Sequence, residues 1–536
     1  MNRIFATIGL ISVLVQQVNA GEHPKLIVAI LVDQLRYDYL EKFQEQFTTN
    51  GFRLFLDRGV FMSSGRYNYV PTITAPGHAS FLSGSTPAQH GIIGNDWLDR
   101  QTRKNVYCVG DSSVDGVGTT GEAKVSPRNF IGSNFADQLR LHYKSKVISI
   151  SLKDRGAILP GGKKPAGAFW FESKSGNFVT SSYYTWALPN WVQEFNERKR
   201  PASFIGKKWN RLLDSKDYFE RDNAAGEGRL AGETNSTFPH KIIAAKEGYD
   251  PILPTPFGNE ILLELAEAAI DGEGLGQGPQ PDLLCVSFSS IDYCGHTFGP
   301  YSQEVQDITL RFDRQLDQLF NYLDRRIGLT NVMMVLTADH GVGPTAQFAA
   351  AQGLESKQLN EGEFMTNLVT QLEKQFGSGK YFAENKIYGG NIYLNHPVLQ
   401  TKGLSPDQVT KFIREAALNS GFAQACYSRD QLLEGRVAGF PGPLVLAGYN
   451  AERGGDLFLV LKPFVIPGGK TGTTHGSPYS YDTRVPILFY GSGFKPGRYA
   501  DPFYITDIVP TFCASLHMDE PAQNIGKPFL KILAAP

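Results

Sequence analysis

The feature that most limits the fold of this chain is a recurring order, in which amphipathic stretches alternate with short apolar runs of strand length. Leu26–Val32 (LIVAILV) is such a run, and an expected helix from Tyr37 to Phe47 follows it. Asn134 to Tyr143 reads as helix and feeds Val147–Ser151, and Glu260 to Ile270 feeds Leu283–Phe288. The clearest helix, Gln303 to Arg326, leads into Val332–Leu336. In it Val305, Ile308, Phe312, Leu316, Leu319 and Leu323 recur at intervals of three and four, laying one apolar stripe along the helix. A strand that is apolar at every residue is buried on both faces, which requires helices on both sides of the sheet. The expected class is therefore α/β, with a mostly parallel sheet, and such sheets place ligands at the carboxyl ends of their strands.

Two stretches interrupt the alternation. Residues 156–255 are rich in Gly, Lys, Trp, Tyr and Asn and read as an irregular insertion. Residues 345–470 hold a helix (Pro406 to Asn419) and strand-like pieces (Ile387 to Leu394, Leu457 to Lys462), which predicts a small α+β cap. A chain of 536 residues suggests two to four domains at about 150 residues each. Large α/β enzymes also run as one domain with insertions, so residues 21–536 are read as one catalytic unit carrying those two.

The N-terminus reads as a signal peptide over residues 1–20: Arg3, an apolar run from Ile4 to Val15, and a small-residue site, Val18-Asn19-Ala20. About twelve apolar residues are too few to span a bilayer. The expected mature protein, cut after Ala20, is periplasmic or secreted. A net charge of −1 gives no reason to expect nucleic acid or a membrane surface as partner. The five cysteines form no CxxC pair, and their odd number leaves at least one unpaired.

Against that frame the polar residues at strand ends carry the chemistry. Asp33 closes the first apolar run, Asp339-His340-Gly341 follows another, and Asp292 and His296 lie four apart after a third. His475 stands in Thr474-His475-Gly476. Any one of these is weak, since a lone histidine is usually a core or surface residue. Together they form the ligand inventory of two zinc ions, which bind carboxylate oxygen and imidazole nitrogen and in pairs promote phosphoryl transfer. Thr74 is the expected nucleophile, read as the N-cap of a helix with Pro76 in its first turn. Thr72 is the rival hydroxyl.

Asp33, Thr74-Ala75-Pro76-Gly77-His78, Asn95, Asp292-x-x-x-His296, Asp339-His340-Gly341 and His475-Gly476 closely resemble the alkaline phosphatase superfamily. The resemblance is to its threonine-nucleophile branch, shared by nucleotide pyrophosphatase/phosphodiesterases and phosphate-irrepressible bacterial alkaline phosphatases. It implies an alkaline-phosphatase-like core in which Asp292, His296 and His475 hold one zinc. Asp33, Asp339 and His340 hold the second, alongside Thr74, and Asn95 hydrogen-bonds a phosphoryl oxygen. The segment Ser151–Pro160 resembles one that the monoesterases carry and the diesterases lack. Within it Lys153 and Arg155 would face the extra charge of a monoester, although a Lys-Asp-Arg tripeptide also reads as a solvated loop.

The expected function is thus an exported di-zinc alkaline phosphatase acting on small-molecule phosphate monoesters through a phosphothreonine, as a monomer. The alternative is a phosphodiesterase or nucleotide pyrophosphatase on the same scaffold. A sulfatase would need a Cys/Ser-x-Pro-x-Arg segment, which is missing at the equivalent place. A non-catalytic metal-binding protein would not need a near-complete ligand set. The sequence leaves an additional Ca2+ or Mg2+ and the preferred alcohol open.

Overall fold

The computed structural model describes residues 23–119, 121 and 123–534, so the signal-peptide reading of residues 1–20 lies outside it. Ten strands build one sheet: β1 (Leu26–Val32), β2 (Val60–Met62), β3 (Gly116–Val117), β4 (Val147–Ser151) and β5 (Gly167–Glu172). The others are β6 (Asn177–Ser181), β7 (Asp282–Phe288), β8 (Val332–Thr337), β9 (Ile487–Tyr490) and β10 (Gly497–Tyr499). Their spatial order is β10-β2-β9-β8-β1-β7-β4-β5-β6-β3. The middle five, β8, β1, β7, β4 and β5, run parallel, with antiparallel β9 and β6 flanking them.

Every residue of β1, β4, β7 and β8 is buried, as their largely apolar sequences lead one to expect. Their register pairs Val32 with Phe288, Leu31 with Thr337 and Ser287 with Ser151, so the carboxyl ends fall in line. Asp33 lies one residue past β1, Lys153 two past β4, Asp339 two past β8 and Asp292 four past β7. Strand register therefore sets these four side chains on one rim.

The helix Gln303–Arg326 has the expected bounds, with Ser302 accepting from the Val305 amide at its start and Arg325 and Arg326 at its negative end. The helix expected from Tyr37 to Phe47 is shorter. It stops at Lys42, and after Phe43 leaves helical geometry a 3₁₀ turn covers Gln44–Gln46, burying both Phe43 and Phe47. The helix expected over Glu260 to Ile270 is longer, Pro256–Glu273, because Pro256 opens it where a missing N–H costs nothing.

The stretch expected to be irregular from residue 156 begins as core. A helix over Asp154–Gly161 leads into β5 and β6, which extend the central sheet. Their aromatic residues (Phe169, Phe171, Phe178) are buried, but two short strands joined by a tight turn show too little periodicity to read. The irregular part runs over 182–255 and is tied down by buried Asp307 of the long helix. That carboxylate accepts from Trp209 Nε1 and the Leu212 amide, each at 2.6 Å, and from the Tyr218 hydroxyl. Within 345–470, Asn391–Ile392, Leu457–Leu461 and Ala423–Ser428 form a separate three-stranded sheet. Helices Glu361–Phe376 and Pro406–Asn419 accompany it, and Phe364, Leu368, Leu372, Ile413 and Leu457 belong to its own core. All five cysteines are buried and unpaired. Among the described residues no helix is long and apolar enough to cross a membrane.

Candidate active site

The rim gathers three carboxylates, two of which share one fixed cation. Lys153 Nζ donates to Asp292 Oδ2 at 2.6 Å and lies 2.8 Å from Asp33 Oδ2, off hydrogen-bond geometry. Burial alone would raise the carboxyl of Asp292, yet Lys153 and His296 hold it well below the usual range. Asp33 is likewise held down by Lys153 and His78 against its burial. Burial would lower Lys153, but Asp292 and Asp33 push it well up, so it stays an ammonium.

Three histidines face these carboxylates in one manner. His296 Nδ1 faces the Thr473 carbonyl, His340 Nδ1 the Gly341 carbonyl and His475 Nδ1 the Thr72 carbonyl, each at 2.9 Å. A carbonyl only accepts, so each Nδ1 carries the proton and each Nε2 is left to face inward. His296 Nε2 is 3.2 Å and His475 Nε2 3.7 Å from Asp292 Oδ1, and His340 Nε2 is 3.1 Å from Asp339 Oδ2. The rings of His340 and His475 stack with centroids 3.4 Å apart. Burial lowers both, but Asp339 overrides it at His340 and raises that ring to about 9. His475, facing His340 and His296, stays well below its ordinary value.

This arrangement fits metal. Lys153 faces Asp33 and Asp292 and leaves Asp339 to a protonated His340, so the three buried carboxylates exceed the counter-charge of these two groups, and an unmatched buried charge costs several kcal/mol. Asp339 Oδ2 and His340 Nε2 are fully buried without a hydrogen-bond partner. Imidazoles whose outer nitrogen is fixed on a carbonyl are the usual form of metal-binding histidine, and the oxygen and nitrogen donors suit zinc. Donor atoms of Asp292, His340 and His475 lie within 4.8 Å of one another, as do those of Asp33, His78 and Asp339. His340 thus stands between the two groups that the resemblance implies.

Thr74 is the first residue of the helix Thr74–Phe81, and its N-cap is Ile73, whose side chain cannot cap. The expectation of Thr74 as cap is corrected by one residue. Its hydroxyl makes no hydrogen bond among the described residues, whereas Thr72 Oγ1 is spent on the Ser477 carbonyl at 2.8 Å. Gly77, one turn on, lets this helix approach the rim, because a Cβ there would meet the Asp339 carbonyl oxygen at 2.4 Å. Asn95 Oδ1 accepts from the Ala75 amide at 2.9 Å, which fixes its side chain beside Thr74 and leaves its NH2 to donate. Arg155 lies farther back, with Nη1 3.4 Å from the Tyr107 hydroxyl and Nε buried without a partner.

Three residues of the site escaped the sequence reading. His78 is one, although its spacing of four from Thr74 is plain in Thr74-Ala75-Pro76-Gly77-His78. Its Nδ1 bonds the Thr74 carbonyl at 2.8 Å and its Nε2 the Ser287 hydroxyl at 2.7 Å, between Asp33 and Asp339. Gln34 gave no signal. Held at φ 66°, it donates its amide to Asp339 Oδ1 (3.0 Å) and its side chain to Asp292 Oδ1 (2.7 Å). Such backbone strain persists where the surroundings over-determine it.

Asp482 is the third. Its Oδ2 accepts from the Gly476 and Ser477 amides (3.0 and 2.7 Å), and its carbonyl accepts from the Gly341 amide (2.7 Å). It therefore ties the His475 loop to the His340 loop. Asp482→Ala is expected to weaken metal retention about 10- to 100-fold, as loss of a supporting carboxylate does elsewhere. Zinc content after equilibration in metal-buffered solution checks this.

Residues 27–478 match the family described as type I phosphodiesterase / nucleotide pyrophosphatase. The chain belongs to this family, within the alkaline phosphatase superfamily. It is 38% identical over 532 residues to a protein named alkaline phosphatase PafA from Elizabethkingia meningoseptica, covering 97% of this chain and 96% of that one. It is 36% identical to alkaline phosphatase PhoV from Synechococcus elongatus, over 95% of this chain and 93% of that one. The crystal structure of wild-type PafA superimposes with a TM-score of 0.92 at 37% identity, over 96% of this chain and all of that one. The architecture is thus alkaline-phosphatase-like.

Proposed function

We propose that this chain is an exported, di-zinc alkaline phosphatase that hydrolyses small-molecule phosphate monoesters, as a monomer, through a phosphothreonine at Thr74. Near-full-length similarity to proteins named alkaline phosphatases supports the class of reaction. The observation that carries the monoester reading is Lys153, a buried ammonium on the rim two residues from Arg155. A monoester brings one more negative charge than a diester. Lys153 donates to Asp292 alone, so ammonium protons remain for a phosphoryl oxygen, and Arg155 Nε is unpaired.

Asp292, His296 and His475 would hold one zinc, and Asp33, Asp339 and His340 the other, beside Thr74. Zinc bound there would supply a Lewis acid favouring the ionised hydroxyl and water and offsetting charge on the leaving oxygen. Thr74 Oγ1 bonds to phosphorus as the bond to the alcohol breaks on the far side. Water then attacks the phosphothreonine, releasing phosphate and restoring the hydroxyl. Asn95, Lys153 and Arg155 donate to the non-bridging oxygens throughout, an electrostatic role.

The family description favours a second reading, a phosphodiesterase, and one experiment separates the two. Lys153→Ala and Arg155→Ala are each expected to lower kcat/KM for an aryl phosphate about 100-fold, and for its methyl diester far less. A wild-type preference for the diester, unmoved by either change, would assign the chain to the diesterases.

A further inference from the structure

Between the catalytic rim and the segment 345–470 lies a cavity of about 500 Å³. Asn95 and His475 both line it, so it opens onto the phosphate site, while Lys153 and Arg155 do not line it. Its outer wall comes from the separate three-stranded sheet, along Phe458 to Leu461, and from Gln358, Glu361, Lys386 and Tyr388. The volume is in the range of small-ligand sites and far exceeds what phosphate or a methyl group needs.

The polar groups of this wall lack partners. Gln358 Oε1 is fully buried with no hydrogen bond. Lys386 lies over the Tyr388 ring, Nζ 4.4 Å from its centroid. Among the described residues neither Lys386 nor Glu361 is in an ion pair or a side-chain hydrogen bond, though burial raises the Glu361 carboxyl against the pull of Lys386. Gln358 and Glu361 are half-buried, and such polar groups without partners are unfavourable unless a ligand bonds them, whereas Lys386 is exposed at the mouth. Two are acceptors and one is a donor. A hydroxyl can serve either kind. An alkyl alcohol would leave all three unmet, and a second anion would meet Glu361.

Resting on the monoesterase reading above, we propose that this cavity binds the alcohol portion of the substrate and that Gln358, Glu361 and Lys386 select polyhydroxylated alcohols. The substrate class is then sugar phosphates or nucleoside monophosphates, whose shared chemistry is a set of neighbouring hydroxyls.

The test compares kcat/KM of the zinc-loaded protein on ethyl phosphate, a hexose 6-phosphate and a nucleoside 5′-monophosphate. All three release primary alcohols, so chemistry at phosphorus is closely matched. Either polyhydroxylated substrate should exceed ethyl phosphate, and the excess should fall about three- to tenfold in each of Gln358→Ala and Glu361→Ala. Turnover of ethyl phosphate by the variants reports their folding. A gain for the hexose phosphate alone, or for both, assigns the pocket to hydroxyls. A gain for the nucleotide alone that survives both substitutions means that rings rather than hydroxyls are read, and overturns the proposal. Equal rates on all three overturn it while leaving the monoesterase reading intact; no turnover of any monoester would sink both.

Discussion

Thr74→Ala is expected to lower kcat/KM of the metal-loaded protein for an aryl phosphate on the order of 10⁴-fold, with zinc content near normal. At roughly 1.4 kcal/mol per decade, that is more than 5 kcal/mol of lost transition-state stabilisation. Structural damage cannot supply it. Thr74 is not the cap of its helix, and its hydroxyl has no partner among the described residues to lose, so even the usual capping cost of about 1 kcal/mol does not apply. The main chain of Thr74 still anchors His78, because the bond runs to its carbonyl. Thr72→Ala is the matched control, since it removes a hydroxyl bonded to the Ser477 carbonyl and touches no reacting group. It should lower stability by about 1 kcal/mol and leave the phosphoenzyme intact. Acid-quenched protein, assayed for phosphothreonine, separates the two variants. Loss of zinc in parallel with activity in Thr74→Ala would make the hydroxyl a structural ligand rather than the nucleophile.

The parts of this site that could be read in advance share one physical origin. A parallel strand buried on both faces is largely apolar, so acidic residues within a few positions of its carboxyl end mark the rim. Asp33, Asp292 and Asp339 could be seen for that reason. The long helix was legible because one solvated face imposes a period on 24 residues. What stayed hidden depends on contacts distant in sequence. β9 enters the sheet between β2 and β8 from near the C-terminus, and no local pattern announces that neighbour. Gln34 matters because the φ of one residue aims its amide at Asp339 and its side chain at Asp292. Asp482 matters because two loops, 135 or more residues apart in the chain, close on its side chain and its carbonyl. Lys153 was expected beside phosphoryl oxygens. Its position between Asp33 and Asp292 follows from the alignment of β1, β7 and β4, which tripeptide composition does not reveal.

Stripping the metal with a chelator should abolish turnover and leave a protein whose stability falls as pH rises from about 6.5 through about 9. Activity goes because Thr74 would have to attack as a neutral alcohol, with no Lewis acid to offset charge on the leaving oxygen. The pH dependence follows from His340. Asp339 raises its folded value to about 9 against an unfolded value near 6.5, so the folded state binds the proton more tightly. That contribution, on the order of 3 kcal/mol, is fully present below about 6.5 and lost as pH climbs through 9. Asp33 and Asp292 do not oppose it, because both are held below the carboxylate range and stay ionised across this window. The zinc-loaded protein should behave in the opposite sense, since the metal competes with the proton for His340 Nε2 and binds better once that proton has gone. Tm measured at pH 6.5 and 9.5, with and without zinc, reads both trends. Readdition of zinc, but not of Mg2+, should restore turnover, because nitrogen-rich ligand sets discriminate against that hard cation. A chelated protein that grows more stable toward alkaline pH would mean that His340 is not held protonated by Asp339, and would remove the electrostatic basis for placing a cation between them.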